Sequence, residues 1–191
     1  MPYIMTIVSL FAGDGLIKHL VEKSQNTGGR LWFGEKIVIK KYHNKGAMLN
    51  IGERHQRFVA LLSLVFSAFV TGMFVVTLGM KGRGLLNTGL ALILGGAYSN
   101  TYDRLKRKYV VDYFSFHIGT GKCRLQVWKR LVDRFNTIIF NLSDFGIIIG
   151  AMLFVISGLE SSREDSSSPA RAPGARQLAD IFHLDTRVHK K

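Results

Sequence analysis

At 191 residues and a formal net charge of +13, the chain is long enough for one domain and basic enough to raise a polyanionic partner. Its apolar residues, however, are gathered into long blocks, and no basic groove with stacking aromatics lies outside them, so a soluble core and a nucleic-acid partner are both excluded. Cys123 is the only cysteine, which rules out intramolecular disulfides and multi-thiolate metal sites; with no cysteine-protease signature around it or nearby His117, it reads as an ordinary loop thiol.

Four blocks, 3–20, 58–80, 85–102 and 136–159, each approach the roughly 20 residues needed to cross about 30 Å of hydrocarbon. The predicted class is a mainly α membrane protein with four transmembrane helices. The first block is read as a retained span rather than a secretory signal. It has no basic n-region, and Asp14 and Lys18 interrupt its apolar core. These two stand one helical turn apart, so pairing explains both as a structural polar pair.

The loop from Glu22 to Arg57 contains the β-prone run Lys36-Ile-Val-Ile-Lys-Lys-Tyr42, predicted as a strand over the membrane surface. Lys81-Gly-Arg-Gly84 is short enough to make the second and third spans antiparallel neighbours. A second long connection, from Asp103 to Phe135, then lies on the same side as the first, and the two meet as a cap over the span ends. Beyond Leu159 the Ser-, Arg- and Pro-rich composition cannot bury enough apolar surface to order itself, so residues 160–191 are predicted to be a disordered basic tail.

Ionisable groups at hydrocarbon depth cost about 2.5 to 3.5 kcal/mol on insertion scales, which makes each a functional candidate. The third span ends in Gly95-Gly-Ala-Tyr-Ser-Asn-Thr-Tyr-Asp-Arg104, where paired glycines permit close helix approach and Asn100 and Asp103 share a face. Asp112 follows in the aromatic, strand-like run Tyr109-Val-Val-Asp-Tyr-Phe-Ser-Phe116, an expensive place for a carboxylate unless it is paired or used. Asn141 and Asp144 are three residues apart and are predicted to share one face of the fourth span. If the second loop folds back, Asp112 and Asp144 meet, and two close carboxylates divide into a protonated acid and an ionised base. The residues alone fit other uses as well: a proton relay, or a transporter or scaffold built on Asp14, Lys18 and Asp144. No HExxH, GxSxG or Walker pattern is present, and no metal or cofactor is expected.

These motifs in order resemble the prolipoprotein signal peptidase (type II signal peptidase) family. Asp14 through Lys18 is similar to its Asp-x-x-x-Lys, Asn44-Lys-Gly-Ala47 to its Asn-x-Gly-Ala, and the 95–104 segment to its Gly-Gly-Ala-x-x-Asn-x-x-Asp-Arg. Val110-Val-Asp-Tyr-Phe114 follows at the expected distance, and Phe140-Asn-Leu-Ser-Asp144 resembles Phe-Asn-x-Ala-Asp. The resemblance covers roughly residues 5 to 158. It implies a membrane aspartyl endopeptidase that removes leaders from diacylglyceryl-modified prolipoproteins, cleaving before the lipidated cysteine. Asp112 and Asp144 would be its catalytic pair, with Asn44, Gly96, Asn100, Asp103, Arg104 and Asn141 supporting the site or contacting substrate. It also implies a β-rich cradle formed by the extracytoplasmic loops, a multi-pass monomer in the bacterial inner membrane, both termini cytoplasmic, and leader peptides and membrane lipid as partners.

Three departures accompany it. The gap between Asp112 and Asp144 is longer than usual, the extra residues falling in 119–135 with Trp128, Lys129 and Arg130 exposed; the usual Trp-Pro before the last motif is missing; Ser143 stands where Ala is common. They leave room for a relative that binds leaders without cutting. Charge counting also opposes the implied orientation, because Lys36, Lys40 and Lys41 in one loop and Arg104, Lys106, Arg107 and Lys108 in the other would place both loops in the cytoplasm.

Overall fold

The first apolar block forms α1 (Pro2–Lys23), with proline in the opening turn, where its missing N–H costs no hydrogen bond. The second, after a 3-10 turn at Glu53–His55, forms α2 (Gln56–Leu78), and the third forms α3 (Gly84–Lys106). A fourth long helix, α5 (Leu142–Ser167), follows a short helix α4 (Gln126–Thr137). This architecture comes from a computed structural model, which describes residues 1–24, 30–32, 37–46, 52–117 and 126–167. Ala47, Cys123 and the tail beyond 167 lie outside the described residues, and the expectations placed on them lie there too.

By length and composition, Pro2–Lys23, Glu53–Leu78 and Leu142–Arg163 can each cross a membrane. Along α2, Phe58, Leu62, Val65, Phe69 and Val76 are exposed, a surface suited to hydrocarbon rather than water. α3 has the length but not the hydropathy, because it carries Asn87, Ser99, Asn100, Thr101 and Asp103, all buried. Its position explains that composition. Gly95 packs on Ile7 and Leu10 of α1, Gly96 on Ser143 and Ile147 of α5, and Gly89 on Gly150 of α5. On its remaining side, Thr101 meets Ser67 of α2 at 3.0 Å and Tyr98 meets Thr71 at 2.6 Å. A helix enclosed by other helices can trade lipid-facing apolar residues for polar contacts between helices. The antiparallel α2–α3 pair and the close approach at Gly95-Gly96 are as the sequence predicts.

The loops supply an antiparallel sheet with strand order β1 (Arg30–Trp32), β2 (Ile37–Asn44), β3 (Val110–Phe116) and β4 (Ile139–Phe140). Both predicted strand runs are strands, β2 beginning one residue later than the run that foretold it. Between Ile39 and Tyr42 the β2–β3 register slips, so that Ile39 pairs with Phe114 while Tyr42 pairs with Asp112. The extra residue brings Tyr42 and Asn44 onto the same sheet face as Val110 and Asp112. β3 alternates: Val111, Tyr113 and Ser115, all buried, face away from the side that carries Asp112.

Two boundaries differ from expectation. The fourth helix was expected from residue 136, but α4 runs to Thr137, β4 follows, and α5 starts at Leu142. The tail was expected to lose structure after Leu159, yet α5 continues to Ser167. Hydrogen bonds within a helix need no buried face, and Ser162 adds its own to the Gly158 carbonyl at 3.0 Å. The chain divides into two compact units, Met1–Val155 and Ile156–Lys191, and every candidate site residue belongs to the first.

Candidate active site

Asp112 and Asp144 line one cavity of about 530 Å³. Its lining combines the polar groups of Asn44, Asn100, Arg104 and the two carboxylates with the apolar side chains of Ile138, Ile139, Phe140, Ile147 and Ile148. β3 delivers Asp112, the first turn of α5 delivers Asp144, and β4 runs directly into that turn.

Three asparagines set the two carboxylates, and each has its oxygen committed elsewhere. Asn44 accepts the Gly46 N–H at 3.1 Å, which turns its amide nitrogen toward Asp112 Oδ2 at 3.1 Å. Asn100 accepts from Lys18 Nζ at 2.9 Å and from Asn141 Nδ2 at 3.2 Å, leaving its own nitrogen to donate to Asp144 Oδ1 at 3.0 Å. Asn141 accepts the Asp144 N–H at 3.0 Å, and its Nδ2 donates to Asp112 Oδ1 at 2.7 Å. A flipped amide at any of the three would set oxygen against oxygen, so their orientations are fixed by partners.

Asn141 also donates its backbone N–H to Asp144 Oδ2 at 3.0 Å. With the return bond from Asp144 N–H to Asn141 Oδ1, this is a reciprocal cap on the N-terminus of α5. The expectation that both residues sit on one face inside the helix is corrected here: Asn141 precedes the helix and Asp144 lies in its first turn. The pairing survives for a different physical reason. It satisfies an orphan N–H group at a helix start and makes Asn141 a link between the two carboxylates, with its backbone N–H on Asp144 and its side-chain amide on Asp112.

Asp112 is buried. Burial first, and then the neighbouring charge of Asp144, push its carboxyl up to about 7 against the opposing pull of the Asn44 and Asn141 amides. Arg104 reaches the Gly46 carbonyl at 3.5 Å and interacts with the charges of Asp112 and Asp144, while its buried Nε has no hydrogen-bond partner among the described residues.

Behind the cavity lies a second polar cluster. Lys18 contacts Asp14 at 2.6 Å, and it approaches Asp103 Oδ2 to 2.9 Å, an ion pair by proximity rather than an aligned hydrogen bond. Arg107 Nε stands 3.4 Å from the other oxygen of Asp103. The predicted Asp14–Lys18 pair is therefore present and extends to Asp103, which faces this cluster rather than the cavity. Gly96 also acts from behind: a Cβ there would collide with the Ser143 carbonyl and stand 2.8 Å from Ile147 Cγ1.

Residues 6–160 match the family of signal peptidase (SPase) II. The chain is 32% identical over 174 residues to a lipoprotein signal peptidase of Mesorhizobium japonicum, covering 87% of this chain and 90% of that protein. It belongs to the signal peptidase II family.

Two solved structures share the fold, both described as bacterial membrane enzymes determined by the in meso method. One has a TM-score of 0.69 at 18% identity, covering 89% of this chain and 94% of its own, and the other 0.62 at 18%, covering 83% and 92%. The signal peptidase II assignment makes the chain a peptidase of the bacterial membrane. Within this peptidase, Asn44, Asn100, Arg104, Asp112 and Asp144 line the cavity, Asn141 bonds Asp112 and Asp144, Gly96 packs on Ser143, and Asp14, Lys18 and Asp103 form the second cluster. The sequence reading passed over the hydroxyls of Ser99 and Tyr113 and took Ser143 only as a departure. All three are chain neighbours of residues that the sequence did single out: Ser99 and Ser143 immediately precede Asn100 and Asp144, and Tyr113 immediately follows Asp112.

Proposed function

We propose that this peptidase cleaves the leader of diacylglyceryl-modified prolipoproteins before the lipidated cysteine, with Asp112 and Asp144 as an aspartyl pair. The observation that carries the reading is that one residue, Asn141, bonds both carboxyl groups, Asp112 through its side-chain amide and Asp144 through its backbone N–H, and that the cavity these carboxyls line also carries isoleucine and phenylalanine side chains. A peptide bond beside a lipid-bearing residue needs both kinds of lining. Hydrogen-bonding groups hold the scissile amide, and the isoleucine and phenylalanine wall accepts acyl chains.

In this mechanism the pair shares one proton. The ionised carboxylate takes a proton from water as it attacks the carbonyl carbon, while the protonated partner donates to the carbonyl oxygen; the first then passes its new proton to the leaving amine as the C–N bond breaks, and the second takes a proton back from the tetrahedral intermediate's hydroxyl as the new carboxyl group forms. A carboxyl pushed up to about 7 still holds that proton in roughly half of the molecules at neutral pH, where an ordinary aspartate would have lost it. Arg104, with a buried Nε unspent among the described residues, offers a donor to a peptide carbonyl of the leader. The wider reading takes α3 as a fourth span beside the three apolar helices, and places the sheet and cavity outside the cytoplasmic membrane with both termini inside. Leader peptide and bilayer lipid are then its partners, and the active unit is a monomer.

The test is cleavage of a diacylglyceryl-modified prolipoprotein by purified protein. Asp112→Asn and Asp144→Asn should each lose at least about a thousandfold in rate, with insertion and thermal unfolding near wild type. Undiminished cleavage by either variant would remove it from the chemistry. Tight leader binding by wild type without cleavage would instead identify a binding relative.

A further inference from the structure

The Asp14 carboxylate is fully buried, and the residues it gathers form a pattern. Ser99 Oγ and Ser143 Oγ each donate to its Oδ2 at 2.6 Å, Tyr113 OH donates to its Oδ1 at 2.9 Å, and Lys18 Nζ completes the set. Each hydroxyl belongs to the chain neighbour of a residue that shapes the cavity: Ser99 beside Asn100, Tyr113 beside Asp112, Ser143 beside Asp144. Three elements, α3, β3 and α5, are thereby tied to one point on α1.

Tyr113 has a further bond. Its oxygen accepts the Leu142 N–H at 3.0 Å, so a single phenol joins the strand that carries Asp112 to the first residue of the helix that carries Asp144. Strand alternation puts this joint on the sheet face opposite Asp112, where it fixes the backbone without touching the cavity. Ser143 adds a second tie within the same turn of α5.

We propose that Tyr113 and Ser143 are positioning residues for the peptidase reaction, acting through Asp14 to hold Asp112 and Asp144 at their working separation. The proposal rests on the aspartyl reading above. Neither hydroxyl touches substrate. Small displacements of reacting groups are costly: a 1 Å misplacement far from the chemistry can cost on the order of a hundredfold in rate. Hydroxyls that bond a buried, fixed carboxylate suit the task because geometry leaves them one direction to point.

The experiment uses the full chain, purified in detergent, with a diacylglyceryl-modified prolipoprotein. Tyr113→Phe, Ser143→Ala and the double variant are compared with Thr71→Val, which removes a hydroxyl paired at 2.6 Å with Tyr98, on the α2–α3 contact away from Asp14. Unfolding midpoints are measured beside kcat and KM. Tyr113→Phe and Ser143→Ala should each lower kcat roughly ten- to a hundredfold with KM within about twofold. The double variant should lose less than the product of the singles, since both act through one carboxylate. Thr71→Val should lower the unfolding midpoint and keep wild-type kcat. Full kcat in both single variants overturns the proposal, as does a kcat loss in Thr71→Val that follows the same line against unfolding midpoint. Should Tyr113→Phe fail to fold, Ser143→Ala against Thr71→Val decides alone. Asp112→Asn and Asp144→Asn run alongside: if they cleave, the aspartyl reading falls; if they are dead while the hydroxyl variants keep full kcat, only the positioning role falls.

Discussion

The amide oxygens of Asn44, Asn100 and Asn141 are spent on other donors so that their nitrogens point at carboxylates, and this makes the protonation of the pair adjustable one bond at a time. Asn44 bonds the ionised form of Asp112 and so pulls its carboxyl down, against burial and Asp144, which together bring it to about 7. Removing the amide removes a downward pull, so Asn44→Ala raises Asp112 further. A pair that needs one proton is active while that proton is held and declines as pH rises through the value at which it leaves. The alkaline limb of kcat against pH should therefore lie near 7 in wild type and move to higher pH in Asn44→Ala, with a rate loss of about tenfold or more at the optimum from the misdirected carboxylate. A limb that stays in place, or moves to lower pH, would show that Asn44 does not govern this proton. The carboxylates and amides that line the cavity were legible in the sequence because such groups in apolar surroundings stand out by cost. Ser99 and Tyr113 were not, because a serine in a small-residue helix and a tyrosine in a strand are unremarkable until the fold brings Asp14 to them.

Helices and strands were legible where one periodicity ran undisturbed. α1, α2 and α3 lie within a few residues of the blocks that foretold them, and β3 covers most of its aromatic run. The segment 126–141 was not legible, since it changes state twice in a short distance. α4 buries Val132 while exposing Val127, Trp128 and Leu131; β4 is two residues long; and the asparagine that looks intrahelical is a cap. Phe116, Phe135, Phe140 and Phe145 then clasp α4, the sheet and α5 together with ring centroids 5.8 to 6.2 Å apart, a long-range cluster that no local pattern announces. The α3–α5 crossing is the element contact on which the site depends most directly. A methyl at Gly96 meets the backbone carbonyl of Ser143, which cannot swing aside like a side chain, so the first turn of α5 must move and take Asp144 with it. Gly96→Ala should cost about 1 to 3 kcal/mol of stability and most of the activity. Gly72→Ala, with nothing within 4 Å of the added methyl, should be neutral or gain roughly 0.5 to 1 kcal/mol by helix propensity. Equal behaviour of the two variants in thermal unfolding and cleavage would mean that the crossing tolerates the extra volume.

If α1, α2 and α3 all cross the bilayer, one side holds the sheet and the cavity and the other holds the α2–α3 turn with the N-terminus, so orientation is a single binary choice on which two arguments disagree. Counting lysine and arginine puts the sheet side in the cytoplasm, for Lys40, Lys41, Arg104, Lys106, Arg107 and Lys108 outweigh Lys81 and Arg83 near the span ends. Several of those cations have folded roles, however. Lys41 caps the Glu22 and Ser24 carbonyls at 3.1 and 3.4 Å, Arg107 stands by Asp103, and Arg104 faces the Asp112–Asp144 pair. Their presence is set by the site as well as by insertion, which weakens the count as a guide to orientation. Under the proposed function the substrate is met after its leader has crossed, which would put the sheet side outside. Two exposed positions decide between them: Arg130 on α4 and Lys81 in the α2–α3 turn. In a Cys123→Ser background, a membrane-impermeant maleimide applied to spheroplasts should label Arg130→Cys before lysis and Lys81→Cys only after it. The reverse pattern would turn the whole molecule over, and with it the side of the membrane on which cleavage is to be sought.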